Sequence, residues 1–167
     1  MNVFLDTEFT SLVRSDSQLI SLALVTERGD QELYIELSDW ERNRASEFVR
    51  DTVVPLLGMV ESMDSAKVGR RITDWFASLS SIAVVTTDLP ADLRFLISLT
   101  SWPIPNVSDR VCLIQHLGNK GINAQEGYFE ENPGLEHHAL HDARALRAGY
   151  LAAANPNVLD LNWAAGS

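Results

Sequence analysis

The sequence predicts an α/β fold, and three observations carry that prediction. Residues 18–26 and 31–37 are rich in β-branched and apolar side chains and flank Glu27-Arg28-Gly29-Asp30, the pattern of an antiparallel hairpin. The apolar run Ile82-Ala83-Val84-Val85, extended by Thr86 and Thr87, precedes Leu93, Leu96 and Leu99 at helical spacing, so a buried strand is followed by a helix. Between these, Val68, Ile72, Trp75, Phe76 and Leu79 recur with the period of an amphipathic helix.

Taken in order, Val3-Phe4-Leu5 reads as a short buried strand that reaches a polar end at Asp6-Thr7-Glu8-Phe9 and joins the hairpin. Residues 41–57 are expected to be helical, with Pro55 limiting the end, and the helix through Val68 and Leu79 comes next. After the strand at 82–87 and its helix come a strand near 110–114, a glycine-containing region from Gly118 to Gly134, and a final helix over about 138–154. No internal repeat, low-complexity tract or linker interrupts the chain, and residues 1–167 are expected to form one domain.

Composition narrows the function classes. With 46% hydrophobic and 22% charged residues the chain has the balance of an ordinary globular protein. No apolar run approaches the roughly 20 residues of a membrane span, and the start Met1-Asn2-Val3-Phe4-Leu5-Asp6 lacks the basic and long apolar regions of a secretory signal. A cytoplasmic protein with no membrane partner is expected. The single cysteine, Cys112, lies in the apolar run Val111-Cys112-Leu113-Ile114 and reads as a buried small hydrophobe. A net charge of −10 argues against tight binding to long phosphate tracts, since counterion release from basic surfaces drives much of that binding. The same charge is tolerable where clustered carboxylates await divalent cations.

Three segments hold the candidate chemistry. Strand alternation sends Asp6 and Glu8 to one side and Thr7 to the other. Two carboxylates so close repel, a cost that a shared hard cation offsets. Asp88 and Asp92 come after the buried strand at 82–87, at the strand end where open α/β sheets place their sites. Either also admits a structural role, Asp88 as a helix cap and Asp92 as a first-turn acid facing the helix dipole. In the last segment, Ala139, Ala143, Leu146, Tyr150 and Ala153 form a core-facing stripe that includes Asp142, whose burial without a partner would be costly. His137 would face the same site from the loop or first turn that enters the helix. His138, one turn from Asp142, could pair with it, and His141 is expected to face solvent.

Together, Asp6-Thr7-Glu8-Phe9, the strand–helix junction with Asp92, and His137 with four residues before Asp142 resemble the three motifs of the DEDDh 3′-to-5′ exonucleases. The resemblance runs from residue 4 to about 151, and among these enzymes the chain looks most like the small stand-alone bacterial exoribonucleases. It departs from them at Asp88, where relatives carry asparagine, and at Ala91, where they carry an aromatic residue. The fold so implied is ribonuclease H-like, a mixed five-stranded sheet with helices on both faces.

The resemblance also implies the activity. Single-stranded RNA or 3′ overhangs would be hydrolysed stepwise to nucleoside 5′-monophosphates, with two divalent cations, Mg²⁺ or Mn²⁺, as cofactors. Asp6, Glu8, Asp92 and Asp142 would hold the metals, with Asp6 bridging and Asp92 supporting the second ion. His137 would accept the proton of the attacking water, because histidine side chains ordinarily titrate near pH 6.5. The terminal base would rest against apolar side chains after the first motif, with Phe9 and Leu12 as candidates. A homodimer is expected, as related small nucleases often pair. The alternatives are a DNA exonuclease with the same site and a degenerate nuclease fold that only binds. A haloacid-dehalogenase-like phosphatase would require aspartate where Glu8 stands.

Overall fold

A computed structural model of the chain describes residues 1–12 and 16–162. Its centre is a sheet of six strands: β1 (Asn2–Phe9), β2 (Leu19–Thr26), β3 (Glu32–Glu36), β4 (Ala83–Thr87), β5 (Val107–His116) and β6 (Asn157–Asn162). They lie side by side in the order β3-β2-β1-β4-β5-β6. The first three form an antiparallel meander, β1–β4 and β4–β5 are parallel, and β6 returns antiparallel to β5. The expected five strands are therefore present and a sixth is added at the edge. Its residues carry little strand signal because five of the six are exposed and only Val158 packs inward.

Five helices cover the sheet: α1 (Glu47–Thr52), α2 (Ser65–Ser78), α3 (Pro90–Leu99), α4 (Gly118–Glu131) and α5 (Ala139–Ala152). Alternation along β1 decides which face each helix takes. Val3 and Leu5 point to the side where Val68, Ile72 and Phe76 of α2 and Leu93 and Leu96 of α3 close the larger core. Phe4 points to the other side, against Leu146 of α5 and Ile114, with the ring of Tyr150 edge-on at 5.4 Å. The amphipathic stripe of α2 explains its position, since burying a side chain such as Phe76 stabilises the fold by about 1.5–3 kcal/mol.

Two local expectations are corrected. Residues 41–57 do not form one helix: a 3₁₀ turn at Arg42–Arg44, α1 and a second 3₁₀ turn at Val54–Leu56 replace it. Ser46 leaves the helical conformation and caps α1 by accepting from the Val49 N–H at 3.2 Å, and Pro55 confines the residues after α1 to a turn. The glycine-containing region is largely α4. Its glycines serve close packing, because a Cβ on Gly121 would lie 2.8 Å from the Gly149 carbonyl oxygen and one on Gly149 would lie 2.9 Å from the Gly121 oxygen. Backbone-to-backbone contact with α5 thus replaces the apolar stripe by which helices are ordinarily recognised.

Candidate active site

The first strand runs on past the end of β4. Its last pair with β4 is Phe4↔Thr86, so Asp6 and Glu8 stand where the parallel strands end and the chain turns into α3. The same alternation that sends Phe4 towards α5 sends Asp6 and Glu8 to that side. Thr7 points to the α3 side, where its hydroxyl donates to Asp92 Oδ1 at 2.6 Å. Thr87, the last residue of β4, donates to Asp92 Oδ2 at 2.6 Å. Asp92 is only 1% exposed, and both of its oxygens are held by threonine hydroxyls.

His137 and Asp142 arrive from the start of α5. His137 lies two residues before the helix with φ of 66°, in the left-handed region that non-glycine residues rarely adopt. Such backbone strain persists where the surroundings enforce it, commonly at functional positions. His137 is thus presented from the loop rather than the helix face, while its backbone N–H hydrogen-bonds to Asp142.

Oxygen and nitrogen atoms of Glu8, His137 and Asp142 all lie within 4.8 Å of one another, as do those of Asp6, Asp88 and Asp92. The five residues expected from sequence therefore converge, and Asp88 joins them. Asp88 is not a helix cap: the N-cap position of α3 is Leu89, whose N–H is taken by the Thr87 hydroxyl.

This crowding raises the proton affinity of the acids. Burial, followed by the charges of Asp92, Asp142, Glu8 and Asp88, pushes Asp6 well above the carboxylate range. Burial and the neighbouring Asp142 raise Glu8 to about 9. Burial also raises Asp142 to about 7, against hydrogen bonds from Glu8 and the His137 backbone, and raises Asp92 to about 7, against its two threonine donors. The Glu8–Asp142 hydrogen bond contributes to the rise at Glu8 and opposes the rise at Asp142.

These shifts tie stability to pH. Carboxyls whose folded pKa exceeds the unfolded value near 4 stabilise the fold fully below about pH 4, and that contribution is lost as pH rises through the folded pKa. The metal-free protein is expected to lose stability as pH climbs from about 4, the Asp92 and Asp142 contributions being gone above about 7 and that of Glu8 above about 9. Urea midpoints in chelator at several pH values check this, with divalent cation reversing the trend; a flat profile would contradict it.

Among the described residues no lysine or arginine forms an ion pair with any of these acids. Asp6 Oδ2 is buried without a hydrogen-bond partner. An all-oxygen donor set with an orphaned carboxylate oxygen at its centre fits hard divalent cations.

Asp6, Glu8, His137 and Asp142 line a cleft of about 430 Å³. Phe9 and Leu12, expected as base-contacting candidates, both line it: Leu12 is 80% exposed, whereas Phe9 is nearly buried against Phe95, with ring centroids 5.2 Å apart. Phe48 of α1, which the sequence did not single out, also lines the cleft. Its ring is 55% exposed and meets His137 edge-on at 4.9 Å. A bulge in β2 at Ile20, between the pairs Glu8↔Ser21 and Phe9↔Leu19, sends Ile20 into α1 beside Val49 and so holds α1 against the cleft. A second cavity of about 290 Å³ is lined by Asp6, Asp88, His137 and Asp142 together with Gln125 and Phe129 of α4. A larger one, about 560 Å³ between Trp40 and Phe95, offers only Asp39 as an ionisable lining group, already bonded to Ser65.

His138 and His141, which follow His137, serve packing. His138 is buried against Tyr34, ring centroids 4.5 Å apart, and neither ring nitrogen has a hydrogen-bond partner, so it does not pair with Asp142. His141, expected in solvent, is 8% exposed with Nδ1 2.8 Å from the Tyr128 hydroxyl, because α4 covers that side of α5.

No family model matches the sequence, and no curated protein is significantly similar to it. The structure is similar to the crystallographic structure of the nuclease domain of 3′hExo, a DEDDh family member, bound to rAMP. The TM-score is 0.54 at 13% identity, covering 93% of this chain and 95% of that one. The likeness shows the fold, which is ribonuclease H-like. Among the described residues no helix is long and apolar enough to cross a membrane.

Proposed function

We propose that the protein is a metal-dependent 3′-to-5′ exonuclease that removes nucleoside 5′-monophosphates from single-stranded RNA or 3′ overhangs. The observation that carries this reading is the convergence, from three separate segments, of Asp6, Glu8, His137 and Asp142 on one cleft, with Asp92 buried beside Asp6. The fold it shares with a nuclease domain bound to rAMP is consistent with it.

When bound, two divalent cations would activate water and neutralise charge building on the leaving oxygen. Glu8 and Asp142 would hold one and Asp92 and its neighbours the other, with Asp6 between them. The His137 imidazole stands beside Glu8 and Asp142 and would take the proton of the attacking water. Leu12 and Phe48 offer apolar surface in the cleft for the terminal base, and the ring of Phe48, packed on His137, would limit how far that side chain can swing. Small contact areas of this kind need no basic surface, which reconciles the acidic chain with a nucleic-acid substrate.

Stacking on an aromatic side chain contributes about 1–3 kcal/mol per base. Phe48→Ala is therefore expected to raise KM for a short oligonucleotide severalfold to a hundredfold with a smaller effect on kcat; steady-state kinetics showing the reverse split would remove Phe48 from the binding surface.

The proposal is tested with a 5′-labelled single-stranded RNA and Mn²⁺, resolved over time. A ladder shortening from the 3′ end, silent in excess EDTA, supports it. Undiminished cleavage in EDTA, or internal cuts, would overturn it. Faster digestion of the matched DNA would reassign the substrate, and metal-dependent binding without cleavage would leave a binding module.

A further inference from the structure

Asp88 stands out among the acids because nothing in the fold accounts for it. It comes directly after the last residue of β4 and is exposed, while its carboxylate oxygens approach those of Asp6 and Asp92 within 4.8 Å. It does not cap α3, whose N-cap position is Leu89, and among the described residues no lysine or arginine pairs with it. A third carboxylate set beside two others raises the repulsion of the empty site. That arrangement is explained if the three share a cation.

Asp92 is poorly suited to be the principal ligand on that side. It is 1% exposed, and its two oxygens are bound at 2.6 Å by Thr7 and Thr87, one from each flanking strand. Mg²⁺ and Mn²⁺ keep several water ligands and dehydrate reluctantly, so they favour a carboxylate that meets solvent. Asp88 does meet solvent, and it lines a cavity together with Asp6, Gln125 and Phe129. Independently, Asp6 Oδ2 is buried in the same cluster with no hydrogen-bond partner, an oxygen that calls for a positively charged neighbour.

We infer that Asp88 is a direct ligand of the divalent cation held beside Asp6, and that Asp92 is a positioning residue, a locked carboxylate that supports the cation from the buried side. The inference rests on the metal-dependent reading of the site and names which acid makes the contact. A neutral side chain at position 88 would leave Asp6 as the main direct carboxylate there. Asp92, fixed by its threonines, could not swing out to compensate.

The test is Mn²⁺ binding to the full chain without nucleic acid, followed by the loss of the free Mn²⁺ electron paramagnetic resonance signal and by calorimetry. The wild type is expected to bind two ions. Asp88→Asn should weaken one of the two by at least tenfold and shrink the Mn²⁺-induced rise in melting temperature, while the metal-free melting temperature is unchanged or higher. Asp88→Glu should recover most of the affinity, because the carboxylate returns. Two ions bound by Asp88→Asn with wild-type affinity would overturn the inference, as would an equal loss in Asp88→Glu. If the wild type binds two ions in this way but cleaves no RNA, the nuclease reading fails and the ligand assignment stands. If the wild type cleaves RNA and Asp88→Asn binds Mn²⁺ normally, only the ligand assignment fails; a wild type that binds no Mn²⁺ sinks both.

Discussion

Asp6→Asn is expected to abolish hydrolysis, with a loss of at least about 10³-fold in kcat, while the fold is retained or strengthened. Asp6 is the one acid central to the cluster: its buried side chain feels Asp92, Asp142, Glu8 and Asp88 together, and its Oδ2 has no other partner. Cation-assisted charge stabilisation is worth several kcal/mol, and each 1.4 kcal/mol is a factor of ten in rate. The substitution removes an acid whose ionisation burial and its crowded neighbours disfavour, and no core volume, so the metal-free protein should melt at the same or a higher temperature. Turnover with saturating Mn²⁺ and melting in EDTA, measured on the same preparation, check both halves. A variant that keeps a tenth of wild-type turnover would remove Asp6 from the centre of the mechanism.

His137→Ala is expected to lose about 10²–10⁴-fold in kcat, the usual worth of a positioned general base. The loss should appear with little change in Mn²⁺ affinity, and added imidazole should restore part of the rate. His138→Ala tests the neighbouring position. His138 is buried against Tyr34, with no hydrogen bond to the acids, so its removal should lower stability through lost packing and leave the chemistry of folded molecules largely intact. Kinetics in which His138→Ala is crippled and His137→Ala nearly normal would refute the assignment.

Most of the strands were legible in the sequence because the core strands carry strong signals. The hairpin of β2 and β3 and the run Ala83–Thr87 are apolar or β-branched and bounded by turn residues. The segments that escaped are those whose burial is small or rests on backbone. Helix α4 buries only Gly121, and β6 is almost wholly exposed. Solvent exposure of His141 was misjudged because the helix that covers it was not foreseen.

At the site, residue types and spacing were readable but their supports were not. Thr7 was seen only as the residue that points away from the carboxylates, and that orientation is what lets it hold Asp92 from the opposite face of the sheet. Phe48 lies beside Val49 in α1, one exposed and one buried, and a six-residue helix has too few turns for periodicity to tell them apart. The sequence placed the second-motif acid at Asp92 by resemblance and left Asp88 outside the site, although residues four apart share a helix face. The structure brings both to the cluster and separates them by exposure and hydrogen bonding.

The central claim, that Asp6 lies between two cation sites at the base of a nucleotide cleft, is tested most directly by anomalous diffraction from crystals grown with Mn²⁺ and adenosine 5′-monophosphate. Two peaks about 3.5–4 Å apart are expected, one against Glu8 and Asp142 and one against Asp88 on the Asp92 side, with Asp6 touching both and the base between Leu12 and Phe48. Crystals that bind Mn²⁺ elsewhere and leave the Asp6 cluster without a peak would contradict the account.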